Sequence, residues 1–254
     1  MSGDRQIVAP ASPPAPTAAR IALGLTGPAI PTREQLRFQL DHALARDAVH
    51  AHMDIAGMLQ GLHDLRLQSI VLRSAADDRH IYLRRPDLGR RLHPDSQQAL
   101  AEFHLSASRD SGVVFVIADG LSALAVDRHA IPLLQALLPL LDGHSAIGPV
   151  CLAQQGRVAI GDEIGGILNA ELLVMLIGER PGLSAPDSLG VYITWQPRPG
   201  RTDAERNCIS NIRLEGLSYA EAAYRIAFYI NEAKRLQATG VSLKDPPPQP
   251  ALKS

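Results

Sequence analysis

The chain has 254 residues, 46% of them hydrophobic and 20% charged, with 25 Lys+Arg against 26 Asp+Glu and a formal charge of -1. This is an ordinary globular composition, long enough for one domain of roughly 200 residues with tails, or for that domain behind a small helical one. Balanced charge gives no electrostatic case for nucleic acid or an anionic membrane, and 4% aromatics leaves few platforms for stacking bases.

Residues 1–19 are rich in Pro, Ala and Ser and lack the apolar stretch of a secretory leader, so a disordered tail is expected there. Residues 244–254, with Pro246, Pro247 and Pro248, are expected to form a second. Between them, 20–105 reads as mainly helical and 106–243 as an α/β domain. Thr32 with Gln35 three residues on predicts an N-cap box, followed by Leu36, Leu40, Ala43, Leu44 and Ala48 at helical spacing. Ile55, Met58, Leu59, Leu62 and Leu65 predict a second helix, and 69–73 and 80–84 read as short strands.

The continuous β-branched run at 112–118 predicts a strand buried on both faces. A helix over 121–141 follows, with Pro132 and Pro139 marking a break or kink. Strands are expected at 149–153, 157–160, 172–177 and 191–195, with a helix from Asp162 to about Ala170. Ser218 caps the last helix, Glu221 completes its box and Gly240 is the expected stop. No apolar run approaches the roughly 20 residues of a membrane span. Strands alternating with helices predict an α/β fold, a Rossmann-like sheet covered by helices on both faces, with a helical N-terminal part.

Three segments sit where strands give way to loops, the usual place for ligands in such sheets. Asp119-Gly120-Leu121-Ser122 can approach a ligand closely or simply turn the chain with a capping side chain, the commoner outcome. Gly178-Glu179-Arg180-Pro181-Gly182-Leu183 is a stiff loop whose two charges either meet a ligand or pair with each other in solvent. The third, 201–212, is dense in hydrogen-bonding groups around Cys208. A nucleophilic cysteine needs a partner base, no histidine is near in sequence, and a buried structural thiol is commoner.

Cys151 and Cys208 form no disulfide framework or metal spacing, which fits a reducing cytosolic compartment. GDEIGG at 161–166 lacks the spacing of a dinucleotide fingerprint, and no Walker loop, HExxH or GxSxG occurs. His50 and His52 read as a surface pair in preference to a metal chelate. Asp127-Arg128-His129 approaches the Asp-x-His-x-x-Gly pattern of cobalamin carriers, but Pro132 replaces the glycine and no strand leads into it.

SRDSGVVFVIADGLSALAV (108–126), GRVAIGDEIG (156–165), LIGERPGLSAPDSLGVYIT (176–194) and GRTDAERNCISNIRLEGLSYAEAA (200–223) are similar to the small (light) chain of ethanolamine ammonia-lyase. So is residues 20–50, and the resemblance runs in order from about residue 20 to 243. It implies a hetero-oligomer of paired large and small subunits that turns ethanolamine into acetaldehyde and ammonia with adenosylcobalamin (coenzyme B12). Radical chemistry then belongs to the large subunit, and the cofactor lies base-on between the two. The cobalamin contacts carried over are Val158, Glu179 and Cys208, with no catalytic residue and no metal ligand on this chain. Arg180, Arg206 and Asn207 are weaker candidates by adjacency. The resemblance implies a cytoplasmic enzyme, either free or in a bacterial microcompartment. The competing expectations are a nucleotide-binding α/β protein, a cobalamin carrier using His129, and an assembly scaffold without ligand.

Overall fold

A computed structural model describes residues 29–107, 112–141 and 146–245. The tail expected at 1–19 and most of that expected at 244–254 lie outside these residues. Among the described residues six strands form one sheet: β1 (Ser69–Arg73), β2 (Val113–Ala118), β3 (Ile147–Gln154), β4 (Leu172–Gly178), β5 (Leu189–Trp195) and β6 (Arg206–Ile212). Their spatial order is β1-β3-β2-β4-β5-β6. The first four run parallel, β5 is antiparallel to both neighbours, and β6 again runs with β4.

Among the described residues seven α-helices accompany the sheet: α1 (Thr32–His50), α2 (Ile55–Asp64), α3 (Arg79–Arg84), α4 (Pro94–Ala107), α5 (Ala123–Leu141), α6 (Ile160–Ile167) and α7 (Tyr219–Leu236). Side chains alternate across a strand, so β2 divides itself between two cores. Val113, Phe115 and Ile117 join the apolar side chains of α2, α5 and α7. Val114, Val116 and Ala118 meet Leu100 of α4 and Ile160 and Ile164 of α6 on the other face. Every residue of β2 and β4 is buried, which is why both read as unbroken apolar runs. The expected α/β sheet with helices on both faces is the fold observed.

Helix α5 is long and apolar enough to cross a membrane by length and composition, which the sequence had not suggested. It is instead a core helix, with Leu133, Leu134 and Leu137 fully buried between the sheet and α7. Pro132 and Pro139 lie inside it without dividing it into two helices.

Several local expectations are corrected. Residues 79–84 are helical because the Asp78 carboxylate accepts from the Ile81 backbone N–H at 2.7 Å and caps the turn. Residues 157–160 are a turn into α6, closed by the Ile160 N–H donating to the Arg157 carbonyl at 2.9 Å. Pro31, not Thr32, is the N-cap of α1, and its carbonyl accepts from Glu34 and Gln35. The α1 stripe is also turned outward: Ala45 and Ala48 are buried, whereas Leu36, Leu40 and Leu44 are exposed. Helix α7 does begin at the Ser218 cap, but Glu221 pairs with Arg225, and the helix ends at Gln237 in the left-handed region, three residues before Gly240. Helix α4 and strand β6 had no counterpart in the sequence reading.

Candidate functional site

After β2 the chain passes to α5 on one face, and after β3 to α6 on the other. The crevice between those two strand ends is where sheets of this kind usually take nucleotides. Here α3 fills it. The Arg79 guanidinium donates to the Gly120 carbonyl at 2.8 Å and to the Val49 carbonyl at 2.5 Å, and it stands 3.6 Å from the Asp119 carboxylate. The Tyr82 hydroxyl donates to the Gly156 carbonyl at 3.1 Å, and the Arg157 guanidinium lies over its ring at 4.3 Å. Arg79, Tyr82 and Asp119 are all buried, so the nucleotide-binding expectation loses its crevice.

Of the two outcomes open for Asp119-Gly120-Leu121-Ser122, the turn is the one formed. Gly120 has φ +55°, and a Cβ there would sit 2.3 Å from the Gly178 carbonyl oxygen, so only glycine fits. The Ser122 hydroxyl donates to the Pro186 carbonyl at 2.8 Å and accepts from the Ala125 N–H at 3.2 Å. Gly161 and Gly165 of the GDEIGG stretch allow α6 to press onto the sheet, since added Cβ atoms would meet Leu173 and Pro197.

Further along the sheet, Tyr192 of β5 is half-buried and Cys208 and Ser210 of β6 are exposed. A register path crosses this face: Met175 on β4 opposes Tyr192 on β5, and Tyr192 opposes Cys208 on β6. Directly opposed residues share a face, so Tyr192 and Cys208 point to the α6 side. The Cys208 thiol hydrogen-bonds to the Ser210 hydroxyl at 3.4 Å and lies beside Tyr192, its register partner. Burial first, then Cys208 and Glu179, push the Tyr192 phenol above its ordinary pKa. Cys208 is exposed, and the buried thiol is Cys151, so the structural-cysteine expectation for Cys208 is corrected.

Glu179 follows β4 and is half-buried. It does not pair with Arg180, which is exposed. Its carboxylate Oε2 accepts from the Ser188 hydroxyl and from the Asn211 backbone N–H at 3.2 Å, while its own N–H donates to the Ser188 carbonyl at 2.9 Å. Val158 stands in the turn before α6, half-buried against the core that Tyr192 also borders. Its carbonyl accepts from Gly161 at 3.1 Å, and Gly161 is the residue packed on Met175. Cys208 and Tyr192 are thus register partners, Tyr192 and Val158 border the same core, and Glu179 stands after β4 against Ser188 and Asn211.

The adjacency candidates Arg206 and Asn207 serve the fold. Arg206 makes a bidentate pair with Asp162 of α6 at 2.7 and 2.6 Å and also reaches the Thr194 hydroxyl at 3.0 Å. Asn207 holds Gly240 by two hydrogen bonds. His129 is 1% exposed, 2.7 Å from the Tyr219 hydroxyl and 3.4 Å from Asp187, so it is engaged inside the fold. His50 and His52 are both exposed. Tyr192, Ser188 and Asn211 escaped sequence reasoning. Tyr192 was accessible to it, because Leu189, Val191, Ile193 and Trp195 claim one face of β5 and leave Tyr192 on the other.

The family model for the ethanolamine ammonia-lyase light chain matches residues 13–244. The chain is 57% identical over 231 residues to the ethanolamine ammonia-lyase small subunit of Pseudomonas aeruginosa (strain UCBPP-PA14), covering 90% of this chain and 84% of that one. It is 54% identical over 230 residues to the protein of the same name from Azotobacter vinelandii (strain DJ), covering 90% and 85%.

Proposed function

The chain belongs to the ethanolamine ammonia-lyase light-chain family, the small subunit of a carbon–nitrogen lyase, and from that premise we propose that it holds adenosylcobalamin against the large subunit. The reaction served is conversion of ethanolamine to acetaldehyde and ammonia. When bound, the cofactor supplies the carbon radical that starts hydrogen abstraction; the protein supplies position and electrostatics.

The supporting observation is the open face around Glu179. A corrin is flat and fringed with amides, so it needs carboxylate or carbonyl acceptors at its rim and small or apolar groups beneath. Glu179 offers an ionisable acceptor whose Oε1 accepts no hydrogen bond among the described residues. Cys208, Ser210 and Tyr192 offer a low surface, and Val158 a methyl-covered edge. The donor set suits the group. A base-on cofactor fits as well, because His129 is held by Tyr219 and Asp187 and is not free to replace the cofactor's own base.

We assign the binding contacts to Val158, Glu179 and Cys208, and the radical steps to the large subunit. A partner agrees with α1 and the residue just before its cap, where Ile30, Leu36, Phe38, Leu40 and Leu44 are exposed apolar side chains. The enzyme is a cytoplasmic hetero-oligomer of paired subunits, with a bacterial microcompartment as its alternative address. The test is acetaldehyde release from ethanolamine and adenosylcobalamin by this chain, by a cognate large subunit, and by both together. Activity confined to the mixture supports the proposal; a co-purifying mixture that binds no cobalamin sinks it.

A further inference from the structure

Glu179 is held by a device that the fold builds for it. Between the register pairs Leu189–Ile212 and Val191–Ile209, strand β5 has one residue, Gly190, while β6 has two, Ser210 and Asn211. This is a β-bulge, and Asn211 within it has φ +62°. A bulge releases one backbone N–H from the ladder. Here the Asn211 N–H is turned onto Glu179 Oε2, where the Ser188 hydroxyl also donates. Ser188 is buried, and its carbonyl accepts the Glu179 N–H, so it grips the residue at both ends. Gly190 leaves room beneath: a Cβ there would lie 3.0 Å from Glu179 Oε1 and 3.1 Å from its Cγ.

The two carboxylate oxygens therefore have different duties. Oε2 is saturated by protein donors and fixes the plane of the group. Oε1 is left as the acceptor. We propose that Ser188, Gly190 and the Asn211 N–H are positioning residues that present Glu179 Oε1 to an amide N–H of the corrin rim. This rests on the cobalamin assignment above, and it names the atom and its supports. A carboxylate held in advance loses less conformational freedom on binding, so loosening it weakens affinity while leaving the chemistry at saturation unchanged.

The experiment is a double-mutant cycle in the assembled two-subunit complex, read as the Kd for cyanocobalamin by equilibrium dialysis, with thermal unfolding as the check on folding. Glu179→Ala and Ser188→Ala are each expected to raise Kd about five- to tenfold, the size of one hydrogen bond. Together they should do no more than Glu179→Ala alone. Gly190→Ala should raise Kd in the wild-type background and leave it unchanged beside Glu179→Ala, where its clash is relieved. kcat at saturating adenosylcobalamin should stay within about twofold for Ser188→Ala. If Ser188→Ala raises Kd equally with and without Glu179, the positioning role is overturned. If Glu179→Ala leaves Kd unchanged while the complex still binds cobalamin, the assignment of Glu179 itself fails, a separate outcome.

Discussion

Arg79 of α3 and Asp119 at the end of β2 form a buried ion pair, 3.6 Å apart, inside the crevice where a sheet of this topology ordinarily admits a ligand. Burial pushes the Asp119 carboxyl above its ordinary pKa and the Arg79 guanidinium below its own, so desolvation outweighs the attraction each provides. Such a pair contributes little net stability as a unit, but leaving one member alone is costly. Arg79→Met is expected to destabilise the full chain by about 3–5 kcal/mol, measured by urea unfolding. Adding Asp119→Asn should recover part of that loss, because Asn keeps an acceptor for the Gly156 N–H, 3.2 Å away, without an orphaned charge. Additive losses would show that the two residues stabilise the fold independently.

A second buried pair connects the site to its support. Arg206 at the start of β6 grips Asp162 of α6 with two hydrogen bonds, and α6 begins just after the Val158 turn. Lysine keeps the charge but cannot reproduce a planar two-pronged contact. Arg206→Lys is expected to lower the thermal midpoint of the chain, at about 2 kcal/mol, and to raise the cobalamin Kd through movement of α6. An unchanged Kd alongside a lowered midpoint would confine the pair to stability.

What the sequence shows and hides follows from the same physics. β2 and β4 were legible because both faces are buried, which leaves only apolar residues to read. β6 was not: it is an edge strand whose Arg206, Asn207 and Cys208 are spent on an ion pair, a loop clamp and the open face. Residues 80–84 carry a short apolar run, Ile81-Tyr82-Leu83, that reads as a strand, but the Asp78 cap, a local hydrogen bond, decides for helix. Helix α4 buries Leu100 and little else of its length, so no apolar stripe announces it. Of the site, Glu179 and Cys208 were reached through resemblance. Ser188 and Asn211 act through a hydroxyl and a bulged backbone N–H, and neither leaves a pattern in residue spacing.

The loop that carries Glu179 is pinned to α5 through an acid-sensitive contact. His129 is buried with Tyr219 and Asp187 as its polar neighbours, and Arg128 also holds Asp187 at 2.9 Å. Burial lowers the His129 pKa, and the opposing pull of Asp187 does not restore it. A depressed folded-state pKa means the folded chain binds fewer protons here than the unfolded chain. The stability involved is complete above the unfolded value near 6.5 and is lost as pH falls through the folded one. Asp187 adds to the slope further down: burial raises its pKa, but Arg128 and His129 outweigh that and leave it low. Its contribution is present above about pH 4 and fades below. Urea midpoints at pH 7.5 and 5.5 should therefore fall with acidification in the wild type. In His129→Gln the fall should shrink, and an undiminished fall would place the sensitivity elsewhere.

Cys208 is the residue whose chemistry invites most from inspection and whose surroundings support least. Its thiol is exposed, with the Ser210 hydroxyl as its hydrogen-bonding neighbour and Tyr192 opposite, and no histidine or cation pairs with it among the described residues. A nucleophile or metal ligand needs a thiolate, which is favoured by nearby positive charge or a histidine. What the position does supply is a small side chain in the centre of an open sheet face, opposite Tyr192. Size is therefore the property that matters. Cys208→Ser nearly preserves volume and keeps a partner for the Ser210 hydroxyl, and the assembled enzyme should keep at least about half its turnover and its Kd for cobalamin. Cys208→Arg fills the face, and is expected to raise Kd more than about tenfold while the chain remains folded and associated with its partner, since the residue lies outside the core. Were Cys208→Ser to abolish turnover with cobalamin still bound, the thiol would be a participant in the reaction, and its place would be beside the radical chemistry instead of beneath the corrin.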